Sequence, residues 1–147
     1  IAAVLLGKHP DWSSTQVRSA IVNKADSSAV RGVNGANPLF IGNGAASMTR
    51  ALAAKVALNP VSTSFGAIPV GNGNTWTRSI SVTYLNGASG TLTCDATGAG
   101  FGCTVNGNVI TVTYAPRAAG PGANPGKLEV KLNGETAATS VLCAWGK

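Results

Sequence analysis

The feature that most constrains this chain is a change of hydrophobic period at Leu58-Asn59-Pro60. Before it, apolar residues recur at the three-and-four spacing of helices; after it, they alternate with polar residues at the period of two that a half-buried strand requires. Pro60 sharpens the seam, because its ring disfavours helical geometry at the residue before it. The chain therefore reads as two parts, a helical 1–57 and a strand-built 61–147.

In the second part, Trp76, Ile80, Val82 and Tyr84 alternate with Thr77, Ser79, Ser81 and Thr83. Ile110, Val112 and Tyr114 alternate with Thr111 and Thr113, and Leu128, Val130 and Leu132 with Glu129 and Lys131, while Val141, Cys143 and Trp145 close the set. Asn86-Gly87, Asn106-Gly107 and Asn133-Gly134 stand between such runs, where tight hairpins need positive φ. Around seven short strands without an intervening helix predict an antiparallel sandwich. On this parity Trp76, Tyr84, Tyr114 and Trp145 belong to the core, and Phe101, in a Gly-rich loop, is the exposed aromatic.

The first part opens with the end of an apolar helix, Ile1 to Leu6, closed by Gly7, Lys8 and His9-Pro10. Ser13 followed by Gln16 forms a capping box for the next helix, with Trp12 placed to pack on Val17 as a hydrophobic staple. Val17, Ala20, Ile21 and Ala25 line one face of that helix. Asp26 to Phe40 has turn composition and reads as a surface loop. Gly42-Asn43-Gly44 is a second turn, leading into a helix capped by Ser47 whose apolar face is Met48, Ala51, Leu52 and Val56. Such single-stripe helices need a partner surface, which 57 residues do not easily supply.

Charge and cysteine usage narrow the function class. The net charge of +6 comes from 11 basic and 5 acidic residues. Arg18, Lys24, Arg31, Arg50, Lys55, Arg78, Arg117, Lys127 and Lys131 are spread singly, without the stripe that nucleic acid selects. No run approaches the roughly 20 apolar residues of a membrane span. Charged residues are only 11% of the chain, against about 25% in average soluble proteins, so Ser, Thr, Asn and Gly must supply the polar surface, as in extracellular β-proteins. Cys94 and Cys103 flank the segment Asp95 to Gly102 as a local disulfide would, implying an oxidising compartment, with Cys143 left unpaired on a strand; three reduced thiols are the alternative.

No constellation for catalysis emerges. His9 is the one histidine and sits at a helix end, and Asp11 beside it complements the positive end of the following helix. The carboxylates Asp11, Asp26, Asp95, Glu129 and Glu135 do not form a paired or calcium-loop pattern. Gly98 to Gly102 is not followed by the helix that a phosphate cradle needs. The expected sets of catalytic, cofactor and metal residues are empty.

The run Ile1 to Ile21, with His9-Pro10-Asp11-Trp12-Ser13 followed by Gln16-Val17, resembles the end of the subtilisin-family catalytic domain. Gly42-Asn43-Gly44-Ala45-Ala46-Ser47 resembles the family's Gly-x-Gly turn into its last helix. Leu58-Asn59-Pro60 and Ser64-Phe65-Gly66 resemble the junction to C-terminal fibronectin type III-like or immunoglobulin-like domains. The resemblance implies a mixed fold: a helical C-terminal remnant (1–57) of an α/β subtilisin-like domain, then an accessory all-β antiparallel sandwich (61–147).

On the same resemblance, His9, Pro10, Trp12, Ser13, Gln16, Gly42 and Gly44 are structural motif residues, and the nucleophilic Ser and its His and Asp partners lie before Ile1. The partners implied are the remainder of the catalytic domain and, through the parent, protein substrates, with no nucleic acid and no membrane. The chain by itself is then an inactive C-terminal fragment of a secreted endopeptidase. A stand-alone adhesion or substrate-targeting sandwich is the alternative.

Overall fold

The computed structural model describes residues 1–30, 37–71 and 73–147. Arg31 and part of the expected 26–40 loop lie outside the described residues. The helices of the first part are α1 (Ala2–Lys8), α2 (Ser14–Val22), α3 (Pro38–Ile41) and α4 (Met48–Leu52). The strands are β1 (Val56–Asn59), β2 (Thr63–Ile68), β3 (Trp76–Tyr84), β4 (Leu92–Thr97), β5 (Phe101–Asn106), β6 (Val109–Tyr114), β7 (Gly122–Leu132) and β8 (Glu135–Gly146), with a one-turn helix α5 (Pro116–Ala119) before β7.

The strands form two four-stranded sheets, β1-β3-β6-β5 and β2-β8-β7-β4. Their inner faces share one core containing Leu58, Ile80, Val82, Ile110, Val112, Tyr114, Leu128, Val130 and Leu142. The sandwich expected from the period of two is present. It departs from all-antiparallel in one pair: β2 runs parallel to β8. The chain leaves the first sheet at Asn59 and joins the second at Thr63, so successive segments β1 and β2 edge different sheets.

Four local expectations are corrected. The last helix ends at Leu52, and Val56, expected on its apolar face, pairs with Tyr84 as part of β1. The seam at 58–60 therefore falls after a sandwich strand, not before the sandwich. Along β8 the parity is the reverse of that expected: Leu142 and Ala144 are buried, while Trp145 is 55% exposed. Five consecutive apolar residues from Val141 to Trp145 carry no alternation from which to choose a face. Trp76 is also exposed, at the outer start of β3.

Finally, Asp95 to Gly102 is largely strand, with only 98–100 between β4 and β5. Phe101 packs at 4.9 Å between ring centroids from Tyr114, and near Phe65, rather than facing solvent. Gly126 makes room for it: a Cβ there would stand 2.6 Å from the Phe101 ring.

The turns obey the same chemistry with altered placement. Asn133-Gly134 closes the β7–β8 hairpin with both residues at positive φ. Asn106 instead pairs with Val109, so that loop is Gly107-Asn108, with Gly107 alone of the two at positive φ. Asn86-Gly87 also takes positive φ but carries the chain from one sheet to the other, and the Asn86 amide donates to Leu52 O and Ala54 O beyond α4.

Candidate functional site

The motif residues lie in two places. His9 caps the C-terminus of α1 and stacks on Trp12, with centroids 4.1 Å apart and rings 9° from parallel. Ser13 and Gln16 form the expected reciprocal box: Gln16 N donates to Ser13 Oγ at 3.3 Å and Ser13 N to Gln16 Oε1 at 2.7 Å. Trp12 and Val17 share a second core with Leu5, Ala20, Ala51, Ala54, Ala57 and Leu85. That core is built from both parts of the chain, since Ala57 and Leu85 belong to the sandwich side.

Gly42 and Gly44 lie elsewhere. Gly42, at φ 59° and ψ −129°, ends α3 in a positive-φ conformation that side chains other than glycine's rarely adopt. Gly44 is fixed by a close approach: beside the strand-like bridge between Asp26 and Ala45, a Cβ at Gly44 would stand 2.3 Å from the Asp26 carbonyl. Between them, Asn43 is buried with neither side-chain amide atom hydrogen-bonded among the described residues. The expected Cys94–Cys103 disulfide is present and joins β4 of one sheet to β5 of the other, while Cys143 is free.

The polar centre that sequence reasoning missed joins α2 to the sandwich. Leu58 N donates to Ser19 Oγ at 2.7 Å, and the Ser19 hydroxyl donates to Asn23 Oδ1 at 2.8 Å. Asn23 Nδ2 donates to Val61 O at 2.7 Å and to Thr139 O at 2.8 Å, and Ser140 Oγ also donates to Val61 O. Ser19 and Asn23 stand four apart beside the apolar stripe of α2, a pairing that marks a polar knot on the buried face once the stripe is drawn. Ala25, assigned to that stripe, lies beyond the end of α2.

Hydrogen bonds from the Ser28 hydroxyl and backbone N–H, aided by Arg50 at 3.0 Å, hold the Asp26 carboxyl below the usual range. The hydrogen bond to Asp95 at 2.6 Å raises Lys131. Burial, with the neighbouring charges of Arg50 and Lys55, lowers Lys24. Burial pushes the Tyr114 phenol up, and its hydroxyl has no partner at hydrogen-bonding geometry among the described residues; the Asn124 side chain opposes the shift without cancelling it. Among the described residues, no three His, Cys, Asp or Glu side chains gather as a metal site. Among them, too, no helix is long and apolar enough to cross a membrane.

No family model matches the chain. No curated protein matches it. Among solved structures, the endo-fucoidan hydrolase MfFcnA4 from glycoside hydrolase family 107 is similar at 10% identity with a TM-score of 0.48. The likeness covers 63% of this chain and 14% of that chain.

Proposed function

We propose that this chain is the closing segment of a secreted subtilisin-like serine endopeptidase. Residues 1–57 complete the packing of the parent's catalytic domain, and the sandwich is an accessory module attached to it. The observation that carries the reading is the surface of α1. Leu5 is buried, yet Ile1, Val4 and Leu6 on the other sides are each more than 40% exposed. A helix apolar on every side belongs inside a larger body. Phe40, 76% exposed, and the unpartnered buried amide of Asn43 also suit a surface meant to be covered.

The partner is the remainder of the catalytic domain, which on the family resemblance holds the nucleophilic serine, its base and its orienting carboxylate. Protein substrates meet the parent there and not this segment. The inter-sheet disulfide supports an oxidising, extracellular setting. A stand-alone adhesion module accounts for the sandwich but leaves the apolar surface of α1 unexplained.

The test is labelling with a fluorophosphonate probe, which reports an activated serine. The expected result is one labelled serine in the full-length gene product, located before Ile1, and none in this chain alone. Stoichiometric labelling of a serine within this chain overturns the reading.

A further inference from the structure

Where the end of α2 meets β7 and β8, a cavity of about 140 Å³ opens beside the Asn23 knot. Lys24, Asp26, Ser27, Arg50, Lys127 and Thr139 line it, brought together from four separate stretches of chain. Three of the six are cationic and one is anionic, in a chain whose basic residues are otherwise dispersed. Asp26 is already committed, since its Oδ1 accepts from Ser28 N and Ser28 Oγ and is ion-paired with Arg50 Nη1. Neither Lys24 nor Lys127 forms an ion pair among the described residues.

Arg50 spends one N–H group on Asp26, and the guanidinium has five. The partly buried Lys24 ammonium is disfavoured by burial and by the positive charges of Arg50 and Lys55, and the one carboxylate of the lining, Asp26, pairs with Arg50 and leaves Lys24 and Lys127 without a counter-charge among the described residues. Like charges gathered at the wall of a small cavity draw in an anion, because the attraction is stronger there than in open water.

We propose that this cavity is a binding site for a tetrahedral oxyanion of the phosphate or sulfate class. Lys24 and Lys127 supply the charge, Arg50 supplies directed N–H donors, and the Ser27 and Thr139 hydroxyls take the remaining oxygens. Donors drawn from four stretches around one cavity match a group whose oxygens point in four directions better than a flat carboxylate. The inference is independent of the peptidase reading.

The test is an amide NMR titration of the whole chain with sodium phosphate, sulfate, acetate and chloride at equal ionic strength. Phosphate and sulfate are expected to give saturable shifts centred on residues 23–27, 50, 127 and 139. Affinity is expected to fall about tenfold in Lys24→Gln and in Lys127→Gln, the loss of one charge-assisted hydrogen bond each. Lys8→Gln, whose side chain lines no part of the cavity, is expected to bind as the parent does, and thermal melts check that all three variants fold. Phenyl phosphate distinguishes the source: equal affinity assigns the site to an esterified group, and exclusion assigns it to a free anion, both in support of the site. Non-saturating shifts, equally tight acetate or chloride, or unchanged affinity in both pocket variants would overturn the proposal.

Discussion

Asn23 joins the two parts of the chain through two side-chain hydrogen bonds to the sandwich, as Asn86 does in the opposite direction. The Asn23 amide satisfies two sandwich carbonyls and accepts from Ser19, whose oxygen in turn satisfies Leu58 N. Replacing it by Ala leaves buried polar groups without partners, each costing about 1–3 kcal/mol. Asn23→Ala is therefore expected to lose roughly 2–4 kcal/mol in urea denaturation, and a loss below half a kcal/mol would show the knot to be incidental. Lys24 next to it allows a pH test. Its folded pKa is lowered from 10.5, so between the folded and unfolded values the unfolded chain binds more protons and stability rises with pH. In a side-chain NMR titration Lys24 is expected to deprotonate below the model-peptide range and Lys131, held by Asp95, above it. The reverse order would contradict the arrangement. At this scale the sequence was legible wherever a residue acts locally: Ser13 with Gln16, Asn133 with Gly134, Cys94 with Cys103. It misled at Phe101 and Trp145, whose burial is decided by Gly126 and by the register of β8, both set by distant parts of the chain.

Among the elements, β1 was hidden from sequence reasoning, as were the one-turn helices α3 and α5. Val56 to Asn59 is too short for a period to declare itself and starts four residues after a genuine helix ends, so Val56 reads as part of that helix's apolar face and Leu58-Asn59 as the seam. Its burial has a consequence for dissection. Val56 and Leu58 are buried in the sandwich core, each contributing about 1.5–3 kcal/mol. A fragment 61–147 is expected to melt at a lower temperature than a fragment 55–147, and residues 1–57 alone are expected to give no cooperative transition by circular dichroism, since isolated short helices are marginal. Equal melting of the two sandwich fragments would show that β1 is dispensable. A covalent link between elements is the disulfide that joins β4 to β5 across 9 residues of sequence. Loop-closure entropy for so short a ring is worth about 2.5 kcal/mol, so Cys94→Ala with Cys103→Ala is expected to lower stability by roughly that amount while leaving the far-ultraviolet spectrum unchanged. A loss of strand signal would mean that the bridge decides the fold and does not merely stabilise it.

For the whole molecule, the sandwich was legible because alternation, Asn-Gly turns and strand spacing all point one way. How the helical part would sit was not, because its hydrogen bonds to the sandwich run through Ser19 and Asn23 and the sandwich side of the shared core is Ala57 and Leu85, one on a four-residue strand and one just past the end of β3, none of which leaves a strong periodic mark. The helices are docked on the sandwich through one face and present Ile1, Val4, Leu6 and Phe40 on others. That two-sided character is the basis for reading the chain as the closing segment of a larger catalytic domain. The most direct measurement is the coding sequence immediately upstream of Ile1. The account predicts a Gly-Thr-Ser motif a few helical turns before Ile1, at the start of the helix that α1 ends, preceded further upstream by the Asp and His motifs of the family. A start codon directly before Ile1, or an unrelated domain in that place, would contradict it.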